Sequence, residues 1–395
     1  MSEFNPSPYE RVTIGGYGYQ VMPHPAVPTF AFGQEGRKAF VFQVSAENGA
    51  GLYALKKFKL AFRVSELVEV CDKLARYASW PGLEVCARQC LHQPIHSDVL
   101  GVYPDLEYAV LMPWISGSTW YDMVIGERPL DRLTALNFAN AVAQVLAALE
   151  ESGLAHCDIS AANVIISHNS TTGEAHAHLI DVEDLYAPDF DRPSAVPMGT
   201  DGYAHKTSSQ GLWHPMADRF AGAILMIEMA GWFDPNIRRA ADEEHFFAVN
   251  EMQQDTDDYR LMRRVLGDID ERLPDLFDQM WFSDTLQDCP PLKAWQEVFA
   301  DVYQRERLAR VVSDWQPISV PTGGLEDATP RPFVAPEPPP PPVEEIEEPA
   351  PPADLSEHVE EPRDEPISAQ PPAMAAPPVV ASAPSTAPPV PPARP

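Results

Sequence analysis

Three polar residues within one short loop have the types and spacing needed for phosphoryl transfer. His156, Asp158 and Asn163 follow one another in "LAHCDISAANVIIS" (154–167), between two apolar runs. A carboxylate such as Asp158 can accept the proton of an attacking hydroxyl, and a neutral oxygen ligand such as Asn163 can hold Mg2+ beside it. The alternative is a polar turn between a helix and a strand, in which the Asp and Asn only cap the backbone.

The catalytic interpretation needs a second metal ligand and a cation for the phosphates, and the chain offers both. Asp181 in "LIDVED" ends a short apolar strand 18 residues after Asn163, where a carboxylate can chelate a Mg2+ that bridges two phosphates. Lys56 in "YALKKF" lies two residues after Ala54, so both side chains project from one face of a strand. A small residue there can lie against a purine while the lysine reaches the phosphates.

Hydrophobic periodicity predicts the elements that carry these residues. Residues 40–60 contain two alternating runs joined by turn residues, which predicts a β-hairpin that presents Lys56. Residues 63–79 have apolar side chains at helical spacing. This helix offers Glu69 or Glu66 as the carboxylate that orients the lysine, and the sequence does not decide between them.

The remaining elements predict a strand-rich part followed by a larger helical part, which is an α+β fold. Residues 107–117 form a predicted strand. An amphipathic helix over 131–153 leads into the loop, with Asp131 as its N-cap and Gly153 at its end. Further helical segments run to about residue 310.

Composition excludes several classes of function. The net charge of -30, from 58 acidic and 28 basic residues, argues against sequence-independent binding to nucleic acid or to anionic membranes. The five cysteines contain no CxxC pair, which favours a reduced compartment over a disulfide framework or a zinc site. The first 20 residues lack the apolar core of a signal peptide, and the apolar segment 220–233 is too short to span a bilayer. We therefore expect a soluble cytoplasmic protein.

The C-terminal segment, residues 317–395, differs in character from the rest of the chain. The 43 prolines are concentrated there, without helical or strand periodicity and with hardly any aromatic residue. Such a segment cannot bury enough apolar surface to offset its conformational entropy. The sequence predicts an acidic, disordered tail that partners with polyproline-binding grooves could recognise.

Taken together, these segments resemble the eukaryotic-like Ser/Thr protein kinase family over about residues 28–306. The order and spacing of the motifs carry the resemblance more than any single motif does. The matching segments are "YALK" at the strand lysine, "VLMPWISG" at the hinge, "HCDISAAN" at the catalytic loop, "DVE" at the magnesium motif, "MGTDGYAH" (198–205) at the end of the activation segment and "DRFAG" at the start of the buried helix.

The resemblance implies ATP- and Mg2+-dependent transfer to Ser/Thr hydroxyls of proteins, on a two-lobed protein kinase-like fold. A protein substrate and a cognate phosphatase are the partners that it implies, and autophosphorylation of the tail would fall on Thr329, Ser368 or Ser385. The expected divisions are an N-terminal extension (1–27), a kinase-like domain (28–310) with a small β-rich N-lobe (about 28–113) and a larger helical C-lobe (about 118–310), and the disordered tail (317–395).

The resemblance also assigns roles to individual residues. Asp158 would be the catalytic base, and Lys56 would contact the α- and β-phosphates and pair with the helical glutamate. His156 and Asp218 would support the loop. By role, the residues are Asp158, Lys56 and Asn163 for catalysis, Asn163 and Asp181 for Mg2+, and Gly36, Ala54, Lys56, Glu69, Met112, Trp114 and Ile115 for the nucleotide.

Several positions depart from the family pattern. Cys157 replaces an arginine that pairs with a phosphate on the activation loop, so control by phosphorylation of that loop is not expected. Ser160 replaces a lysine that helps to neutralise the transferred group, and Glu183 replaces the glycine of the magnesium motif. Of the three loop glycines only Gly36 is present, in "FGQEGRKAFV". The earlier "IGGYGYQV" is too far from Lys56 to serve, and we interpret it as an extra strand.

Two alternatives stay open. An "IDxE" sequence after the catalytic loop is also common in small-molecule phosphotransferases related to aminoglycoside and choline kinases. "GTDGY" and "DRFAG" favour a protein substrate, although "AHK" lacks the carboxylate that usually anchors the activation segment. A pseudokinase scaffold is the second alternative; it usually loses one of the residues matched here by Lys56, Asp158, Asn163 and Asp181.

Overall fold

Seven short strands build an antiparallel sheet in the N-terminal part of the chain. The computed structural model describes residues 3–169, 171–241 and 246–314. The strands run in the order β1-β2-β4-β5-β7-β6, and β3 pairs with the N-terminal half of β4. Their bounds are β1 (Arg11–Ile14), β2 (Tyr17–Val21), β3 (Gly33–Glu35), β4 (Ala39–Ala46), β5 (Leu52–Phe58), β6 (Gln89–Cys90) and β7 (Val110–Pro113).

The hairpin predicted over residues 40–60 is confirmed by β4 and β5. The two strands pair from Ala39 opposite Phe58 to Ser45 opposite Leu52. Lys56 lies opposite Val41 in this register, at the centre of the sheet.

The predicted N-terminal extension is part of the same sheet. β1 and β2 form a hairpin around Gly15 and Gly16, both with positive φ, and β2 then pairs with β4. Gly15 and Gly16 of "IGGYGYQV" therefore serve a tight turn that requires left-handed backbone. The boundary predicted at residue 27 falls inside this sheet.

Two helices lie among the strands of the first sheet in the sequence, and a second sheet is formed further along the chain. The helices between β5 and β7 are α1 (Glu66–Leu74) and α2 (Ser97–Leu100). The second sheet has the order β10-β9-β8 and is made of β8 (Ser118–Thr119), β9 (Val164–His168) and β10 (Ala175–Leu179).

The C-terminal part is mainly helical, as predicted. Its core is α4, whose N-cap Asp131 accepts the Thr134 N–H at 2.8 Å and whose end is followed by Gly153 with φ 73°. The helix packs against α5, α9 and β10. The helices are α3 (Trp120–Ile125), α4 (Arg132–Glu151), α5 (Arg219–Gly231), α6 (Pro235–Ala240), α7 (Asp257–Ile269), α8 (Leu273–Trp281) and α9 (Leu292–Asp314).

The fold is thus mixed, with an antiparallel sheet first and helices after it. Within the described residues, α4 is the one helix long and apolar enough to cross a membrane, but most of it is buried inside the protein. The core helix of a soluble protein shows the same burial. The predicted tail (317–395) and its three candidate phosphorylation sites lie outside the described residues.

Candidate active site

The loop of residues 156–163 is held by a buried carboxylate at the start of α5. Asp218 is 3% exposed and accepts the backbone N–H groups of His156 at 2.5 Å and Cys157 at 2.8 Å. Cys157 has φ 69°, a left-handed conformation that costs a residue with a side chain of this kind about 1 kcal/mol or more. Burial raises the pKa of Asp218, although the two donated N–H groups oppose it. The predicted supporting role of Asp218 is confirmed.

His156 connects this loop to the strand end that carries Asp181. Its Nδ1 accepts the Asp158 N–H at 3.3 Å, and its Nε2 lies 2.8 Å from the carbonyl oxygen of Ile180. The neutral tautomer with its proton on Nε2 satisfies both contacts. The ring is fully buried, so His156 acts as a support and not as a group that meets a substrate.

Asp158 and Asn163 are locked together. The Asn163 amide donates to the Asp158 backbone carbonyl at 2.8 Å, which leaves Oδ1 as the acceptor atom of that amide. The Asp158 carboxylate accepts the hydroxyl of Thr200 at 2.8 Å. The candidate base is therefore oriented by Thr200, which lies in residues 198–205, the segment that the resemblance matches to the end of the activation segment.

Lys56 is buried and paired with two carboxylates of the magnesium motif. Its Nζ lies 2.9 Å from Asp181 Oδ1 and 3.0 Å from Glu183 Oε2, while the side chain is 3% exposed. Burial alone would lower the pKa of Lys56, but the charges of Glu183 and Asp181 outweigh it and raise that pKa. Asp181 adopts left-handed backbone, with φ 58°, which Asp tolerates better than most residues.

The structure contradicts the predicted pairing of Lys56 with Glu69 or Glu66. Glu69 forms an ion pair with Lys73, one turn along α1, at 2.7 Å, and Glu66 accepts the hydroxyl of Ser65. Both glutamates are exposed because the buried stripe of α1 faces the opposite way. The predicted pairing is therefore wrong because both glutamates project from the exposed face of α1, not because α1 lies too far from Lys56 in the sequence.

Arg88 is a residue of this network that the sequence reasoning missed. Its Nη1 lies 2.8 Å from Glu183 Oε1, its Nε donates to the Val85 carbonyl at 2.8 Å, and its side chain is fully buried. Burial alone would raise the pKa of Glu183, but Lys56 and Arg88 hold it well below its usual range. A buried arginine in "VCARQC" needs a carboxylate partner, and this requirement was the sequence signal that could have indicated an ion pair at Arg88.

Five of the predicted site residues line one cavity of about 290 Å3. These are Gly36, Lys56, Asp158, Asn163 and Asp181, and Ser160, Glu183, Thr200, Arg37 and Lys38 line it with them. The cavity lining thus contains both oxygen ligands and cations.

The predicted adenine contacts lie beside this cavity and outside its lining. Ala54 lies opposite Met112 across β5 and β7, and Trp114 follows β7 with its N–H donated to the Leu52 carbonyl at 3.0 Å. Ile115 comes next along the chain. Ala54 and Met112 belong to the main hydrophobic core, and Trp114 and Ile115 pack against it.

The Gly36 loop is a tight hairpin between β3 and β4. The N–H of Gly36 is already donated to the Ala39 carbonyl at 2.8 Å, so this group is not available to a phosphate. This differs from the nucleotide contact predicted for Gly36. The tip is formed by Arg37 and Lys38, and Lys38 Nζ lies 3.0 Å from Asp184 Oδ2. Charged side chains at the tip replace the glycine cradle.

The donor set fits Mg2+ and a polyphosphate. Among the described residues there is no cluster of three His, Cys, Asp or Glu side chains that could enclose a metal. Two oxygen ligands, Asn163 and Asp181, are what Mg2+ needs when phosphates and waters complete its shell. Lys56 and Lys38 are the cations in the same lining that would meet the phosphates.

The activation segment is anchored to the helical core at two further points. Tyr203 donates its hydroxyl to Glu228 on α5 at 2.8 Å. The ring of His205 is 2% exposed, packs edge-on against Phe220 at 5.1 Å and lies 3.2 Å from the Ser283 hydroxyl. His205 therefore anchors the "AHK" sequence, where the family uses a carboxylate.

Glu228 makes stability depend on pH in a defined direction. Burial raises its pKa from 4.5 to about 7, although Tyr203, Trp120 and the Phe246 N–H all donate to it. Because its pKa is higher in the folded than in the unfolded chain, its contribution is complete below about pH 4.5 and is lost as pH rises through 7.

We therefore expect the free energy of unfolding to fall by on the order of 3 kcal/mol, from this group alone, between about pH 4.5 and 8. Denaturant unfolding of wild type and Glu228→Gln at several pH values isolates it, because every other titrating group is common to both. A difference between the two proteins that stays constant with pH would contradict the assignment.

No known protein-family model matches the chain, and no curated protein sequence matches it significantly. The function must therefore be argued from the site itself.

Proposed function

We propose that the chain is a protein kinase-like enzyme, with two lobes, that transfers the γ-phosphoryl group of ATP to Ser/Thr hydroxyls of proteins. One observation carries the proposal: Lys56, Asp158, Asn163 and Asp181 line a single cavity, and their residue types are those that phosphoryl transfer needs. Asp218 fixes the loop that contains two of them.

Each residue has a chemical role in this proposal. Asn163 and Asp181 would hold the Mg2+, which supplies charge neutralisation at the phosphates. Lys56 would bind the α- and β-phosphates, and the Asp158 carboxylate would orient the acceptor hydroxyl and take its proton. Adenine would lie against Ala54 and Met112, next to the backbone of Pro113 to Ile115.

The activation segment favours a protein acceptor over a small molecule. Thr200 donates to Asp158 itself, and Tyr203 and His205 fix the rest of the segment on α5 and its neighbours. A segment held beside the base in this way offers a surface for an extended polypeptide. A small-molecule phosphotransferase needs no such surface.

The place left by Ser160 can be filled by a cation from the opposite side. Ser160 is buried and lines the cavity, where the family has a lysine. Lys38, from the β3–β4 tip, lines the same cavity. It would neutralise the transferred group in place of the missing lysine.

The cognate phosphatase, the polyproline-binding partner and the cytoplasmic location stay predictions.

Replacing Asp181 tests the metal-dependent part of the proposal. Wild type should bind ATP more tightly with Mg2+ than with a chelator, and Asp181→Asn should weaken the Mg2+-dependent affinity by at least about tenfold. Titration with a fluorescent ATP analogue measures this. Asp189→Asn, a partly exposed carboxylate paired with Arg76, is the matched control and should leave it unchanged. Mg2+-independent binding by wild type, or an equal loss in the control, would refute the metal role.

A further inference from the structure

The helix α1, all of which the structure describes, has no carboxylate on its buried face. Leu67, Cys71 and Leu74 form that face, whereas Glu69 is 68% exposed and bound to Lys73. Lys73 in turn contacts Asp191, which fixes the outer face in place. A glutamate of α1 could reach Lys56 only if the helix rotated and exposed its apolar stripe.

Glu183 occupies the position that such a glutamate would fill. Its two oxygens bind two different cations, Oε2 to Lys56 at 3.0 Å and Oε1 to Arg88 at 2.8 Å. The carboxylate is nearly buried, and a bridging geometry of this kind fixes its orientation from both sides.

The charges of this network balance. Lys56 and Arg88 provide two positive charges, and Glu183 and Asp181 provide two negative ones. Buried charges of this kind persist only when they are paired and hydrogen-bonded, and Arg88 is further held by the Val85 carbonyl. Arg88 is thus explained as the cation that keeps the Glu183 carboxylate in place.

We propose that Glu183 and Arg88 are the positioning residues of Lys56, so that the orientation of the lysine is set within the magnesium motif and does not depend on α1. This inference rests on the proposed function. Asp181 is 46% exposed and is the carboxylate available to the metal. Glu183 remains as the buried partner of Lys56 when Asp181 binds the metal, and a swing of α1 does not switch the site on or off.

The pairing is tested first in the ligand-free protein, by a double-mutant cycle on unfolding. Glu183→Gln alone leaves the buried Arg88 charge without a carboxylate and destabilises the fold. Glu183→Met with Arg88→Met removes both charges and is used as one step. Combined with Lys56→Met, this step should be non-additive by about tenfold or more in the unfolding equilibrium constant. The cycle of Lys56→Met with Glu69→Gln should be additive within about twofold.

The positioning role is tested second, by steady-state kinetics. The Glu183→Met/Arg88→Met protein should lose about 10- to 100-fold in kcat, because a lysine misplaced by an ångström no longer aligns the phosphates. Its KM for ATP should change by less than about threefold. A merely structural role would not separate kcat from KM in this way. Glu69→Gln should alter neither constant by more than about twofold.

The outcomes are distinguishable. Non-additivity with the expected kinetic split supports the proposal. An additive cycle with Glu183 and Arg88, or a kcat loss in Glu69→Gln that matches the double variant, overturns it. Wild type without any phosphoryl transfer overturns the proposed function and with it the positioning role, while the unfolding cycle still reports whether Lys56 and Glu183 are paired.

Discussion

Asp158→Asn is expected to lower kcat for phosphoryl transfer by about 10²- to 10⁴-fold without unfolding the protein. The amide cannot accept the proton of the acceptor hydroxyl. Its oxygen can still accept the hydroxyl of Thr200, and the backbone carbonyl can still accept the Asn163 amide. Initial-rate measurements with saturating ATP and denaturant unfolding of the same protein give the two quantities.

The control for this change is Asp268→Asn, near the end of α7, where the side chain is exposed. It should keep wild-type kcat, and both variants should keep the wild-type free energy of unfolding within about 0.5 kcal/mol. Transfer by Asp158→Asn at the wild-type rate would remove Asp158 from the mechanism. A fall in kcat accompanied by an equal fall in stability would instead indicate a structural role.

Asp218→Ala is expected to destabilise the protein strongly. It leaves the N–H groups of His156 and Cys157 buried without their acceptor, and each such group costs about 1–3 kcal/mol. The left-handed Cys157 also loses the contact that holds it. We expect a loss of about 2–5 kcal/mol in the free energy of unfolding, read from the denaturant midpoint at an unchanged slope.

Two matched variants define the reason for that loss. Asp218→Asn keeps one oxygen for one of the N–H groups and should lose an intermediate amount. Asp284→Ala removes a carboxylate that is 91% exposed and paired with Lys206, and should change the unfolding free energy by less than about 0.5 kcal/mol. If Asp218→Ala were as stable as Asp284→Ala, the buried carboxylate would not be what holds the loop.

Local patterns were sufficient for several elements of the fold. The alternating runs of residues 40–60 predict β4 and β5, and the apolar period of α4 with its Asp131 cap predicts that helix, because both signals lie within a few residues. The support from Asp218 was also foreseen, but only through the resemblance of "DRFAG" to the family motif, because the contact joins residues 62 positions apart in the chain.

Long-range partners were the part that could not be predicted. The pairing of Glu183 with Lys56 joins residues far apart in the chain, and nothing in the residues around Arg88 indicates which carboxylate it meets. The orientation of α1 could have been predicted from the sequence, because Leu67, Cys71 and Leu74 already define its buried face and place Glu69 on the opposite face. The predicted pair of Lys56 and Glu69 followed the family resemblance instead of this orientation, and it was wrong for this reason.

The contacts around Cys157 bear on regulation. Burial raises the pKa of its thiol, so this residue is neutral where the family carries a cation. The activation segment is fixed instead by Thr200 on Asp158, by Tyr203 on Glu228 and by the buried ring of His205. These contacts need no phosphate, which agrees with the expectation that phosphorylation of this segment is not the switch.

The most direct test of the proposed function is the destination of the phosphoryl group. Wild type and Asp158→Asn would be incubated with γ-labelled ATP, Mg2+, a generic protein substrate and, in parallel, a panel of aminoglycosides and amino alcohols. The account predicts label on Ser or Thr of protein, with wild type only. Label on a small molecule and none on protein, or no transfer with wild type to any acceptor, would contradict it.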